Sequence, residues 1–341
     1  MKKLLNTLYV TTEKAYLSLD GETVVVSSEG KEVGKIPLHT IDGIVSFSYI
    51  GASPALMGKC AEYNKSVVFL SPQGKFLARS IGKQYGNILL RKKQFLLSDE
   101  VRFQIAKNMI SAKLNNSSAV IRRAASDYPV RLDSLLLKEI ESDLKRSAKE
   151  VFRSNCIDSL RGIEGESASK YFSVFNQLIL QQKEEFVFNG RSRRPPMDAV
   201  NAMLSFGYSL LTSMCVSALE TVGLDPYLGF FHATRSGRCS LALDLMEEFR
   251  AYMVDRFVLT LINRKMICAK DFFKKENGAV LLTEDGRKIF LTAWQNRKKE
   301  VVVHPFLKEK ISEGMLPYVQ AMLLSRFLRD DLDDYPPFYW K

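Results

Sequence analysis

Val67-Val68-Phe69-Leu70-Ser71-Pro72-Gln73-Gly74-Lys75-Phe76-Leu77-Ala78-Arg79-Ser80-Ile81 is a pair of short apolar runs separated by turn residues, and shortly beyond it, after Gly86, the texture of the chain changes. Upstream, the same texture repeats. Leu8–Thr12, Ala15–Leu19, Thr23–Val26 and Ile44–Phe47 are runs rich in Val, Ile, Tyr and Thr, broken at Asp20-Gly21, Glu29-Gly30-Lys31 and Asp42-Gly43. This is turn chemistry at hairpin spacing, and it predicts strands. One helix interrupts them: Ser53 offers an N-cap, Pro54 suits the first helical position, and Ala55–Tyr63 carries apolar residues at helical spacing. Downstream, Glu100–Ala125, Leu132–Phe152, Ser167–Gln182, Pro196–Val222, Leu241–Phe273 and Glu313–Leu328 place apolar residues at i, i+3, i+4 and i+7. Only Val280–Leu282 and Val301–Val303 look strand-like there. The expected fold is α+β, with a β-sandwich-like domain over residues 1–85 and a larger all-helical domain over residues 86–341.

Composition narrows the function classes. The 341 residues include 49 Lys and Arg against 38 Asp and Glu, a net charge of +11. That excess points to a polyanionic partner, nucleic acid before membrane. Residues 1–90 hold 10 basic and 7 acidic residues, so most of the excess belongs to the helical part. Hydrophobic residues make up 46%, which excludes disorder as the main state. No apolar run stands out as membrane-spanning. The start, Met1-Lys2-Lys3-Leu4-Leu5-Asn6, begins like a signal peptide but is interrupted by Thr7, Thr11, Thr12, Glu13 and Lys14. Cys60, Cys156, Cys215, Cys239 and Cys268 are widely spaced, odd in number and contain no CxxC pair, as expected for buried thiols in a reducing compartment. A cytoplasmic protein without membrane contact is the expectation.

The three histidines can be weighed singly. His39 at a strand end and His304 before Pro305 read as structural or solvated. His232, in Gly229-Phe230-Phe231-His232-Ala233, lies between a helix ending near Gly223 and a loop leading to Leu241-Ala242-Leu243-Asp244-Leu245-Met246-Glu247-Glu248-Phe249. On that helix Asp244 and Glu247 are three residues apart and share a face beside the apolar stripe of Leu241, Leu245 and Phe249. The bland explanation of Asp244 is a carboxylate near a helix N-terminus. A third acid, Glu164, is flanked by Gly162 and Gly165 at what reads as a turn into a helix. One imidazole with two or three carboxylates suits Mn²⁺ or Mg²⁺.

Leu160-Arg161-Gly162-Ile163-Glu164-Gly165, Gly229-Phe230-Phe231-His232 and Leu243-Asp244-Leu245-Met246-Glu247-Glu248-Phe249-Arg250 resemble the signature blocks of the CRISPR-associated spacer-acquisition integrases. The stretch from Asn189-Gly190-Arg191 to Ser205-Phe206-Gly207-Tyr208 is similar to the family's intervening block, and the closing Asp330-Asp331-Leu332-Asp333-Asp334-Tyr335-Pro336-Pro337-Phe338 resembles the type I-C branch. The resemblance implies catalytic residues Glu164, His232, Asp244 and Glu247, of which Glu164, His232 and Glu247 ligate Mg²⁺ or Mn²⁺ and Asp244 is a further acid. Many family members carry Asp where this chain has Glu247, and ligation is expected to survive the extra methylene. The implied reaction is transesterification, in which the 3′-hydroxyl of a DNA fragment attacks a phosphodiester of the CRISPR repeat; with water instead, the same site cuts DNA. Implied partners are double-stranded DNA, a second copy of this chain, and a small ferredoxin-like adaptation protein in a heterohexamer of two dimers of this chain around one partner dimer. A catalytically silent DNA-binding scaffold and a stand-alone metal-dependent nuclease are the alternatives.

Among basic clusters, Arg235 and Arg238 lie between His232 and Asp244 and are the first candidates for phosphate contacts. Arg191, Arg193 and Arg194 beside Pro195-Pro196 rank second; Arg91-Lys92-Lys93, Arg122-Arg123, Arg287-Lys288 and Arg297-Lys298-Lys299 read as solvated faces. Tyr335, Phe338, Tyr339 and Trp340 form an aromatic tail that suits docking onto a partner or packing as a terminus. The β domain, with little charge and none of the candidate ligands, is expected to make the homodimer contact.

Overall fold

Strands β1 (Thr7–Val10), β2 (Ala15–Asp20), β3 (Thr23–Ser28), β4 (Lys31–Pro37), β5 (Gly43–Ser46), β6 (Ser66–Leu70) and β7 (Phe76–Ser80) surround one helix, α1 (Pro54–Glu62). The computed structural model describes residues 7–12, 14–41, 43–63, 65–71, 76–80, 88–192 and 195–340. The turn at 72–74, Ile81 and the expected domain boundary at 85/86 lie outside the described residues. Strands β2, β3 and β4 form an antiparallel sheet; β1, β5, β6 and β7 form a second sheet in that order. In the second sheet β5 is parallel to both β1 and β6, and β7 is antiparallel to β6. Two adjacent parallel strands need a crossover, which α1 provides between β5 and β6. Ser53 Oγ accepts the Leu56 N–H at 3.2 Å, with Pro54 at the first helical position. Strand β4 is missing from the sequence expectation because Lys31-Glu32-Val33-Gly34-Lys35-Ile36-Pro37 is an exposed edge strand with charges instead of an apolar run.

The central strands β5 and β6 of the four-stranded sheet are buried on both faces. Ile44 and Val67 point into a small core with Leu17, Val24, Leu56 and Cys60. Their neighbours Val45, Phe47, Val68 and Leu70 belong instead to the large helical core, and Phe47 lies 5.8 Å from the Phe206 ring. Burial on both faces explains why these strands read as unbroken apolar runs. It also ties the β part to the helices through a shared core.

The helical part comprises α2 (Ile88–Phe95), α3 (Asp99–Asp127), α4 (Ser134–Glu150), α5 (Ile157–Ser173), α6 (Ala199–Thr221), α7 (Ser240–Glu247), a π-helical turn (Arg250–Asp255), α8 (Arg256–Asn263), α9 (Glu284–Lys299) and α10 (Leu316–Leu328). Two small hairpins, β8 (Phe272–Lys274) with β9 (Val280–Leu282) and β10 (Val301–Val303) with β11 (Lys310–Ser312), qualify the all-helical expectation. The helix expected over 167–182 is α5, which starts ten residues earlier at Ile157 and ends at Ser173. The one expected over 241–273 is broken by the π-helical turn and ends in a strand.

Helix α6 is long and apolar enough to cross a membrane, by length and composition only, with a mean hydropathy of 1.5; the sequence reading did not single it out. Here it is a core helix, with Met203, Leu204, Leu211 and Leu219 buried. A Cβ on Gly207 would stand 2.7 Å from Val254 Cγ1, so only glycine lets α6 approach the π-helical turn this closely.

Two further expectations change. Arg287, Arg297 and Lys298 are buried, so these three are internal braces, whereas Lys92, Lys93, Arg122, Arg123, Lys288 and Lys299 are exposed as expected. Arg297 pairs with Glu313 at 2.9 Å, and Lys298 Nζ donates to Thr7 Oγ1 of β1 at 2.9 Å. The aromatic tail packs onto its own chain, with Tyr335 and Phe338 fully buried in the helical core.

Candidate active site

Helix α5 buries Leu160, Ser167 and Tyr171, which recur at i, i+7 and i+11. Glu164 occupies the i+4 position of the same stripe, so its carboxylate is directed toward the interior although its side chain stays 22% exposed. This corrects the expected turn: Glu164 is mid-helix, and a Cβ on Gly162 or Gly165 would touch nothing within 4 Å.

Asp244 and Glu247 stand one turn apart on α7, both buried, and they have different surroundings. Asp244 Oδ2 accepts the N–H groups of Phe230 at 2.6 Å and Phe231 at 3.0 Å. Its Oδ1 accepts the N–H of His232 at 2.9 Å and lies 2.6 Å from His232 Nδ1. Three consecutive backbone amides and one imidazole thus converge on one carboxylate. An oxygen that already accepts an amide can only accept from the ring, so Nδ1 carries the proton and Nε2 is left free. Asp244 therefore uses both oxygens to set the His232 loop. Gly229 makes this possible: a Cβ there would fall 2.6 Å from His232 O and 3.1 Å from Asp244 Oδ2.

Glu247 faces two cations. Its Oε1 accepts from Arg250 at 2.8 Å, and its Oε2 lies 2.7 Å from Lys113 Nζ. Oε2 is buried, and the Lys113 ammonium is its partner among the described residues. Burial alone would raise the Glu247 carboxyl; Arg250, Lys113 and His232 outweigh it and hold the group well below the usual carboxylate range. The same Lys113 ammonium also pairs with Glu164 Oε1. Lys113 comes from the centre of α3, where nearly every residue from Ile105 to Ile121 is buried. Arg250 stacks over the Tyr208 ring, 4.3 Å from its centroid, and Tyr208 donates its hydroxyl proton to buried Asp255. Lys113, Glu164, Tyr208, Arg250 and Asp255 line a cavity of about 30 Å³, room for a water molecule.

The structure thus gathers Glu164 and Glu247 around one cation, and ties His232 to Asp244, one helical turn from Glu247. Among the described residues no three His, Cys, Asp or Glu side chains close into a metal cage of their own. The donor set still fits a divalent cation. Glu164 and Glu247 already share one positive charge, the buried Glu247 Oε2 faces the Lys113 ammonium, and among the described residues His232 Nε2 has no hydrogen-bond partner.

A family model described as CRISPR associated protein Cas1 matches residues 8–296. The chain belongs to the Cas1 family. Among curated members of the Cas1 family, it is 47% identical over 343 residues to "CRISPR-associated endonuclease Cas1 1" of Chlorobaculum tepidum and 49% identical over 346 residues to "CRISPR-associated endonuclease Cas1 2" of Rhodospirillum rubrum, covering 100% of both chains in each case. Among solved structures, a casposase bound to an integration product superposes with a TM-score of 0.84 at 25% identity, covering 99% of this chain and 95% of that one.

Sequence reasoning missed Lys113, Arg250, Tyr208 and Asp255. A lysine in the middle of a helix of small and apolar residues was the available signal for Lys113, because such a charge needs a buried partner. Arg235 is exposed and Arg238 half-buried on a turn that includes Gly237 at φ +72°, and neither guanidinium makes an ion pair or hydrogen bond among the described residues. Arg191 turns inward instead, bonding Ser192 O at 2.6 Å and Ser205 Oγ at 3.2 Å and stacking on Tyr208. Arg193 and Arg194 lie outside the described residues. His304 is fully buried, accepting from Leu307 N–H and bonded through Nε2 to Gln320 at 2.9 Å; His39 is exposed.

Proposed function

We propose that the chain is a metal-dependent DNA endonuclease and integrase that inserts DNA fragments into a CRISPR array. The observation that carries this is the pair of carboxylates, Glu164 and Glu247, drawn around one cationic seat, with His232 held by Asp244 one helical turn from Glu247. Membership of the Cas1 family and the likeness to a casposase bound to its integration product support it.

Glu164, His232 and Glu247 would hold Mg²⁺ or Mn²⁺. When bound, the cation polarises the phosphoryl oxygen and stabilises charge on the attacking 3′ oxygen. The protein's own groups do the rest. Asp244 orients the imidazole, Arg250 anchors Glu247, and Arg235 and Arg238 on the adjoining loop hold DNA phosphates without reading bases. No side-chain nucleophile is needed, because the 3′-hydroxyl or a water molecule supplies the attacking oxygen.

The proposed division is a β domain over residues 1–85 and a catalytic domain over 86–341, acting as a homodimer in the cytoplasm. A small ferredoxin-like adaptation protein completes a heterohexamer. Tyr49 and Ile50, 69% and 54% exposed on the β part, are suited to the homodimer contact. Ile50→Asp should weaken dimerisation at least tenfold in sedimentation.

A strand-transfer assay with Mn²⁺, labelled fragment and supercoiled target tests the activity. Joined product that disappears in Glu164→Ala, with DNA affinity kept, is the expected result. Cutting without joining would mean a nuclease, and DNA binding without either would mean a scaffold. Glu164→Ala joining at the wild-type rate would overturn the site.

A further inference from the structure

Glu248 follows Glu247 directly, and its fully buried carboxylate is held from outside its own helix. The Tyr335 hydroxyl donates to Oε1, while Oε2 accepts from Phe338 N–H at 2.8 Å and from Gln320 Nε2 at 3.0 Å. Its main-chain carbonyl is one of those that α7 leaves without a helical partner. That carbonyl accepts from Asn116 Nδ2 at 2.7 Å. The same amide group donates to Phe338 O at 2.8 Å, and Trp340 N–H donates back to Asn116 Oδ1 at 2.8 Å.

Asn116 stands three residues after Lys113 on α3. So α3 holds Glu247 through Lys113, and holds Glu248 together with the tail through Asn116. Packing strengthens the arrangement. The Phe338 ring lies 5.7 Å from Phe249 and 5.6 Å from Tyr252, and Trp340 lies 4.8 Å from Tyr252. Further along, Asn108 Nδ2 bonds Asp334 Oδ1 at 2.9 Å and Tyr335 O at 3.0 Å, and Tyr339 donates to Ser111 Oγ at 3.2 Å. Residues 334–340 therefore lie along α3 from Asn108 to Asn116 and finish against the turn that carries Glu247.

We infer that this C-terminal segment is a strap acting within its own chain, and that Tyr335, Phe338 and Asn116 are positioning residues for Glu247 in the reaction proposed above, on which this inference rests. Neighbouring Cα atoms are about 3.8 Å apart, so releasing Glu248 frees the peptide that aims Glu247. A displacement of about 1 Å at such a group costs on the order of a hundredfold in rate.

The test uses Tyr335→Phe, which removes a single hydroxyl, and a chain ending after Asp333 to which a peptide of residues 334–341 is added. Both are assayed for strand transfer against DNA concentration and for hydrogen exchange. Tyr335→Phe should lower kcat about tenfold with KM for DNA within twofold, and speed exchange several-fold only in residues 244–252. The added peptide should restore at least half the rate to the shortened chain. Wild-type kcat and exchange in Tyr335→Phe, or exchange raised throughout the protein, would overturn the strap. A wild-type protein that neither joins nor cuts DNA would sink the functional reading instead, and the exchange pattern would still decide the strap.

Discussion

Asp244 holds His232 twice: one carboxylate oxygen takes the residue's backbone N–H at 2.9 Å and lies 2.6 Å from its ring Nδ1. The other oxygen takes the two preceding amides. The orientation of the imidazole is therefore set by a carboxylate with no acceptor capacity to spare for another ligand. Replacing it with Asn puts an NH₂ group against N–H donors whichever way the amide turns. Asp244→Asn should cost roughly 2–3 kcal/mol of stability, read by calorimetry, and strand transfer should fall at least a hundredfold. Full activity in a stable Asp244→Asn protein would show that His232 needs no such fixing.

Lys113 predicts a competition. Its ammonium sits between Glu164 and Glu247, so Lys113→Met leaves two carboxylates facing each other, with Arg250 still paired to Glu247. Breaking a buried pair costs about 3–5 kcal/mol, and the lower end applies because Glu164 is 22% exposed. Melting of the metal-free variant should drop accordingly, and millimolar Mn²⁺ should recover more stability in Lys113→Met than in the wild type. Equal stabilisation of both would mean that metal and ammonium do not share a seat.

Asp255 sets a pH dependence. Burial pushes its carboxyl up to about 6, against the opposing influence of Tyr208, Arg250, Tyr171 and Arg191. A raised folded value means that the protonated form is favoured by folding. Its contribution is complete below the unfolded value of about 3.9 and is lost as pH rises through about 6. Glu248, pushed by burial to about 7, acts in the same direction. Asp255→Asn should thus flatten part of the fall in melting temperature between pH 4 and pH 7. A variant with the wild-type slope would place the titration elsewhere.

Arg235 and Arg238 predict a salt dependence. Each phosphate contact on duplex DNA contributes about 0.9 to the slope of log affinity against log salt. Arg235→Ala and Arg238→Ala should each reduce the slope by about one, nearly equally for unrelated DNA sequences. Unchanged slopes would remove this loop from the DNA interface.

Much of the strand order along the chain, the Ser53–Pro54 helix start and the helical texture beyond residue 86 were legible in the sequence, because each depends on local periodicity and turn chemistry. The signature blocks singled out Glu164, His232, Asp244 and Glu247. The resemblance separated Glu247 as a ligand from Asp244 as a further acid, but the surroundings that distinguish them were not legible. Both are acids on one face of one helix, and only the folded chain shows that one meets three amides and the other two cations.

Lys113, Asn116 and the tail were decided by the tertiary structure alone. Lys113 is 51 residues from Glu164, and Asn116 is 222 residues from Phe338. No sequence period links positions so far apart. The aromatic tail had the same composition whether it docked on a partner or on its own core; the packing of Phe338 on Phe249 and Tyr252 chose the second. Local pattern determines which segments become strands and helices, whereas burial determines which charges must meet. A buried charge is stable only beside a partner, and the partner is found by the fold.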